Sequence, residues 1–285
     1  MALLKPLPLP KLEAKTKGSI SFITDDALAS SVGVYMGFTK RGGGVSDAPF
    51  DSLNLGSHVG DDITCVQENR MRLMAAIGFG NVEPLVPNQV HGIELMTIEN
   101  ARCDHIGAVK DKLEAGADGI IVCASCVAAL LCFADCVPVI IVSPTGNFAV
   151  LHAGWRGAIA GITSKALCEL AKKDTRICGL TEDELRAQCN IYIGPCIRKD
   201  CFEVSEEIAS RFEERFGKLS VPSYRHVDLP RVVAIDACNA GANEARICDS
   251  GICTVCSEDE FFSYRASGGT TGRHGAFAVR DGFGC

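Results

Sequence analysis

Histidine is scarce in this chain of 285 residues: there are six, and none falls in a His-x-His pair. A four-copper oxidase centre draws on many imidazoles, typically supplied in such pairs, so this composition argues against one. Long apolar runs are also missing. The longest, Val127–Phe133 with Val137–Val142, is interrupted by Asp135 and Pro138, which excludes a membrane-spanning helix there. There is no basic excess: 28 basic against 35 acidic residues leave a net charge of −7. That balance weighs against a nucleic-acid backbone binder and leaves room for a local basic pocket. The H-x-E and P-C-x-x-C signature of the zinc deaminases of free bases is absent as well. No internal repeat, low-complexity segment or linker divides the chain. The expectation is a loose arm over residues 1–18, rich in proline and lysine, followed by one domain over residues 19–285.

Cysteine is abundant instead, with sixteen residues. Several, such as Cys123, Cys126 and Cys132, fall in apolar runs, where a free thiol packs as a small hydrophobe. The start, Met1-Ala-Leu-Leu-Lys-Pro, breaks at proline before an apolar core of signal-peptide length can form. The expectation is a reducing, cytoplasmic compartment with no membrane association.

The richest stretch runs from Ala128 to Gly157. Two runs rich in Val and Ile, Val137–Val142 and Phe148–Leu151, flank Pro144-Thr-Gly-Asn147 and read as buried strands of an antiparallel hairpin. The hairpin returns Cys136 and His152 to the same end. Beyond His152, apolar residues at 159, 162, 166, 167 and 170 predict a helix over Ala158–Lys173 that starts near Gly157. Its free N–H groups and Arg156 would make an anion site beside Cys136 and His152.

Elsewhere, Ser19–Thr24 and Val32–Thr39 read as strands. Asp62 reads as the N-cap of a helix to about Ile77, on which Asn69 and Arg70 are expected to face solvent. Pro84–Val90 reads as a strand ending at His91-Gly92, and Ala117–Cys123 and Asn190–Ile193 read as further strands. Thr181 with Glu184 forms a capping box, and helices follow over Glu206–Phe216 and from Asp228. The final strand is Ala276–Val279. Together these elements describe an α+β fold in which mixed β-sheets are flanked by helices.

His91, Cys136 and His152 form the strongest chemical constellation, each at a predicted strand end beside Gly or Asp. Imidazole and thiolate suit Zn2+, and three protein ligands leave the fourth place open, as in catalytic zinc sites. Three other readings stand beside it. One is a packed thiol with two hydrogen-bonded histidines. Another is a metal-free cysteine hydrolase, with Cys136 as nucleophile and Asp135 orienting a histidine base. The third is a binding protein with a vestigial site. Cys253-x-x-Cys256 reads as packing thiols, or as a redox pair or half a zinc knuckle, with no second CxxC nearby.

The order of several motifs resembles one family. These are Leu53-Asn-Leu-Gly56, Asn88-Gln-Val-His-Gly92, Ala117-Asp-Gly119, Ala134-Asp-Cys-Val-Pro138, Leu151-His-Ala-Gly-Trp-Arg-Gly157, Phe261-Phe-Ser-Tyr-Arg265 and Thr271-Gly-Arg273. Over residues 35–280 the chain is similar to the YfiH-type purine nucleoside phosphorylases, once labelled polyphenol oxidoreductases or laccase-domain proteins. The resemblance implies zinc on His91, Cys136 and His152, with Asp135 also in the catalytic group. It implies phosphorolysis of adenosine, inosine and methylthioadenosine, with adenosine deamination as a second activity. Substrate contacts are expected from Asn54, Arg70, Arg156 and Arg265, with purine nucleosides and phosphate as the partners. Three residues depart from the family pattern: Phe133 where Thr is usual, Ala266 where a second Arg is common, and His274 where Met is frequent.

Overall fold

The chain is seen here as a computed structural model, which describes residues 5–100 and 103–282. It opens with β1 (Glu13–Lys17), β2 (Ile20–Thr24), α1 (Asp26–Val32) and β3 (Val34–Thr39). The long helix α2 (Ile63–Ile77) precedes β4 (Leu95–Ile98) and α3 (Cys103–Ala115). Four strands follow: β5 (Gly119–Val122), β6 (Ala128–Phe133), β7 (Val137–Val142) and β8 (Phe148–Ala153). Then come α4 (Trp155–Ala160), α5 (Ile162–Asp174), α6 (Glu182–Gln188) and β9 (Asn190–Ile193). The chain closes with α7 (Glu206–Phe216), α8 (Leu229–Asn239), β10 (Ile247–Asp249) and β11 (His274–Arg280).

Two sheets result. A five-stranded antiparallel sheet has the order β1-β2-β3-β11-β6. A six-stranded mixed sheet has the order β10-β9-β7-β8-β5-β4, with parallel pairs at both edges. Alternation along the strands decides the layering, because successive side chains point to opposite faces. In β6, Ala129, Leu131 and Phe133 face Ile140, Val142, Phe148 and Val150 of the other sheet, forming the core between the sheets. Ala128, Leu130 and Cys132 of the same strand turn outward against Leu73, Met74 and Ile77 of α2. On the far side, Val139, Ile141, Ala149 and Leu151 pack against α5, α7 and α8. The order of layers is therefore helix, sheet, sheet, helix. This is the α+β arrangement expected from the sequence, with one of the two sheets wholly antiparallel. No helix among the described residues is long and apolar enough to cross a membrane.

Four sequence expectations change. The arm over residues 1–18 is not loose where it is described. Glu13–Lys17 pairs with Ile20–Thr24, its lysines suit an exposed edge strand, and Leu7 is buried in the core. Pro84–Val90 is extended but forms no regular strand, with backbone bonds at Leu85 and Asn88, since Pro84 and Pro87 lack the N–H groups a ladder needs. The helix expected over Ala158–Lys173 begins earlier, at Trp155, and is broken by Gly161 in the left-handed conformation (φ 86°). Finally, Asn69 is buried. Its side chain binds Val45 N, Ser46 Oγ and the carbonyls of Ser52 and Asn54, and so pins the 44–56 loop to α2.

Candidate metal centre

The hairpin of β7 and β8 is antiparallel as expected, with Val142 opposite Phe148 and Pro138 opposite His152. His152 lies within β8 rather than beyond it. Cys136 sits where the chain crosses from β6 in one sheet to β7 in the other. That crossing is sharp: Asp135 takes φ 91°, a conformation that a non-glycine residue adopts at a cost of about 1–3 kcal/mol. Its carboxylate is held at both oxygens, Oδ1 accepting from Thr254 Oγ1 (2.6 Å) and Oδ2 from Arg265 N (2.7 Å). His91 is also left-handed (φ 60°), on the turn after the 84–90 segment.

These turns bring His91, Cys136 and His152 together, with a donor atom of each within 4.8 Å of the others. Behind them lies Asp118, fully buried just before β5. Its carboxylate accepts from His152 Nδ1 (2.8 Å), His91 N (2.9 Å) and Gly92 N (2.6 Å). Because Asp118 takes Nδ1, Nε2 of His152 is left to face the cluster, which is how carboxylates fix the tautomer of a metal-binding histidine. The glycines of the 151–157 motif have a steric reason. A Cβ on Gly154 would come within 3.0 Å of the His91 ring and 3.4 Å of Cys136 Sγ, and one on Gly157 within 2.8 Å of the Gly92 carbonyl.

Burial raises the Cys136 thiol, but charge on His152 and hydrogen bonds from both histidines outweigh it and bring the thiol down to about 6. Burial lowers His152, but the Cys136 thiolate and Asp118 outweigh that and lift it to about 9. Burial likewise opposes the charge on Asp118, yet the bonds from His152, Gly92 and His91 keep its carboxyl below the usual range. One thiolate and two imidazoles, one of them held by the Asp118 carboxylate, fit a tetrahedral divalent ion with an open fourth position. The shifts carry a prediction about binding. A metal needs the thiolate and the neutral imidazole, and between pH 6 and 9 the metal-free pair already has the thiolate but still holds the His152 proton. Uptake at pH 7.5 should therefore release about one proton from this pair, rising toward two below pH 6 and falling to none above pH 9. Titration calorimetry in buffers of different ionisation enthalpy measures that number. A proton count that did not change with pH would contradict the pairing.

A pocket of ≈ 470 Å³ opens over the cluster. Its polar lining is His58, Gln89, Asp135, Arg265 and Arg273, and its apolar lining includes Phe133, Ile197, Phe202, Leu229 and Tyr264. Arg265 donates to the Cys201 and Glu203 carbonyls, and Arg273 donates to those of Thr271 and Gly272. Burial, then the charges of Arg273 and Arg70, hold His58 below its ordinary value, so it enters the rim as a neutral ring.

Not every expected residue reaches this pocket. Asn54 is buried beneath it, and its Oδ1 holds the Arg273 backbone N–H at 2.8 Å. Arg70 lies behind the wall, donating to the Leu55 carbonyl. Arg156 is exposed outside the pocket, its guanidinium 4.4 Å from the Trp155 ring centre and beside Arg211 and Arg215. Asp135 does not orient a histidine; Asp118 does. The residues the sequence reading left without a role are Asp118, His58, Gln89 and Arg273. Each stood inside a quoted motif or next to one, which was the available signal.

The sequence profile described as multi-copper polyphenol oxidoreductase laccase matches residues 35–281. The chain belongs to that family. It is 34% identical to the purine nucleoside phosphorylase YlmD of Geobacillus stearothermophilus, over 87% of this chain and 90% of that one. It is 31% identical to the adenosine deaminase RL5 of an unknown prokaryote, over 87% and 94%. The crystal structure of YfiH from Bacillus licheniformis superposes with a TM-score of 0.79 at 25% identity, covering 94% of this chain and 99% of that one. The YfiH-type resemblance and the α+β fold are borne out. The laccase description of the family does not fit the residues here, since six histidines without a His-x-His pair cannot build a four-copper centre.

The family departures at Phe133 and His274 meet in the structure. The two residues are cross-strand partners in β6 and β11, with ring centres 6.3 Å apart. His274 is wholly buried, and burial outweighs the pull of the Pro195 backbone and pushes it down to about 3, so it packs as a neutral ring. Phe133 also lies 5.5 Å from the His152 ring. This pair therefore backs the metal cluster from the core.

Proposed function

We propose that the chain is a zinc-dependent purine nucleoside phosphorylase of the cytoplasm, which converts adenosine and inosine with phosphate into free base and ribose 1-phosphate, and methylthioadenosine into adenine and 5-methylthioribose 1-phosphate. Adenosine deamination is its side activity. The observation that carries this reading is the His91–Cys136–His152 cluster, backed by Asp118, at the base of a pocket with two arginines and a histidine on its lining. The volume of ≈ 470 Å³ suits a nucleoside. A zinc ion there supplies a Lewis acid at neutral pH. The chain's own residues do the rest. Arg273, Arg265 and His58 hold phosphate against the ribose face, so that its oxygen attacks C1′ as the bond to the base breaks. Anionic phosphate held close stabilises the oxocarbenium-like transition state. Phe202, Leu229 and Ile197 give the base and sugar an apolar wall and exclude water.

The test is product analysis on a panel of purine nucleosides, with and without phosphate. Free base and the sugar 1-phosphate should form only with phosphate, and inosine should form from adenosine without it. A zinc-loaded chain that turns over no nucleoside would be the binding protein instead. One observation favours a second reading: the Asp118–His152–Cys136 arrangement is also that of a cysteine hydrolase. Full activity in a strong chelator would select it.

The arginines separate the two activities. Arg273→Lys loses the planar fork that grips phosphate in two places, so phosphorolysis should fall about tenfold or more, through the phosphate KM. Adenosine deamination, which uses water instead, should fall much less. Arg156→Lys, outside the pocket, should leave both near the wild-type rates. Equal losses in both reactions for Arg273→Lys, with zinc retained, would remove Arg273 from the phosphate site.

A further inference from the structure

We propose that Cys201, Cys253 and Cys256 form a second metal site, which takes a zinc-class divalent cation on three thiolates. Cys201 follows a turn after β9, and Cys253 and Cys256 belong to the loop after β10. The two segments are stitched together at Cys196, whose N–H donates to the Ile252 carbonyl and whose carbonyl accepts from Thr254 N. That stitch brings the three sulfurs within 4.8 Å of one another, with Cys201 Sγ and Cys256 Sγ 3.5 Å apart. In a tetrahedral site with zinc–sulfur bonds of ~2.3 Å, neighbouring sulfurs stand about 3.8 Å apart, so the Cys201–Cys256 pair already has nearly the required edge length.

The surroundings favour sulfur anions. The backbone N–H groups of Cys256 and Arg198 point at Cys253, which is how a C-x-x-C knuckle holds its first thiolate. Burial opposes ionisation of Cys253, yet these bonds outweigh it and its thiol lies below the ordinary value. Cys201, by contrast, is pushed up to about 12, by burial and by its two neighbouring sulfurs. Three thiols this close cannot all ionise alone, and a divalent cation removes that conflict. A pocket of ≈ 220 Å³ beside them, lined in part by Asp200 and Asp228, leaves the fourth position to water or a carboxylate oxygen.

The site also touches the catalytic pocket indirectly. The Cys201 carbonyl accepts from Arg265, and Thr254, between the two loop cysteines, donates to Asp135. A cation here clamps the two segments that hold Arg265 and the Asp135 turn in place.

The test uses the full chain, stripped of metal under reducing conditions and titrated with Co2+. The wild type should bind about two equivalents, and the sulfur-to-cobalt charge-transfer band of one should be about threefold that of the other, for three sulfurs against the single one of Cys136. Cys253→Ser should lose the stronger band and about one equivalent. Cys256→Ser, at an exposed position, serves if Cys253→Ser does not fold. Cys136→Ser should lose only the weaker band. A single equivalent in the wild type, both bands surviving in Cys253→Ser and Cys256→Ser, or a Cys201–Cys256 disulfide that persists in the stripped protein would overturn the proposal. Lack of nucleoside turnover with both equivalents bound would instead count against the proposed activity alone.

Discussion

His152→Ala is expected to leave the protein without its catalytic metal and with both nucleoside activities reduced on the order of 10³-fold, a loss of about 4 kcal/mol of transition-state stabilisation. His152 is buried, its Nδ1 is committed to Asp118 at 2.8 Å, and its Nε2 is the atom left for the ion. Without it, Cys136 and His91 remain, and two donors hold a divalent ion far less tightly than three. Phosphorolysis and deamination should fall together, because the proposed function places both in the one pocket. Since a buried residue is being removed, His91→Ala is the companion variant: His91 is exposed, and its loss opens no core cavity. Metal content and both rates are measured on the same preparations. Either variant retaining phosphorolysis while losing metal would end the shared-site reading.

The second large effect is placed one shell out, at Asp118. Asp118→Asn should weaken metal binding by roughly 10–100-fold, with activity partly recovered at saturating metal. The carboxylate accepts three hydrogen bonds, from His91 N, Gly92 N and His152 Nδ1. An amide of the same shape has one acceptor oxygen, and its NH₂ group would point at an N–H. Either the His91 turn loosens or His152 turns away. Competition with a chromophoric chelator gives the affinity, and recovery by added metal separates this positioning role from simple misfolding. An unchanged affinity would mean that the Asp118 bonds serve the fold alone.

Much of this site was legible in the sequence because it is local. The strands β7 and β8 and their turn follow from short apolar runs around Pro144-Thr-Gly-Asn147, and they return Cys136 and His152 to one end. The N-cap of α2 at Asp62 and the capping box at Thr181 are equally local, each a side chain bonded to a backbone a few residues away. His91 was read from the end of a strand that the structure does not form, and the family resemblance points to the same residue. Arg156 shows where local reading fails. The helix starts at Trp155 instead of Gly157, so Arg156 lies in its first turn, over the Trp155 ring and beside Arg211 and Arg215 rather than in the pocket. The apolar period carries through to the buried residues of α5, Ile162, Ala166, Leu167 and Leu170, but it does not reach back to Arg156.

The remaining assignments belong to tertiary structure. Asp118 reaches His152 across 34 residues, Arg273 is held by Asn54 across 219, and Cys201 meets Cys256 across 55. Asp135 looked like a partner for a neighbouring histidine, but its bond goes to Thr254, 119 residues on. Runs and turns encode an element through contacts within the element itself. Which carboxylate faces which imidazole depends instead on how the two sheets stack and where the chain crosses between them, and that is decided only when both faces of each sheet are buried together.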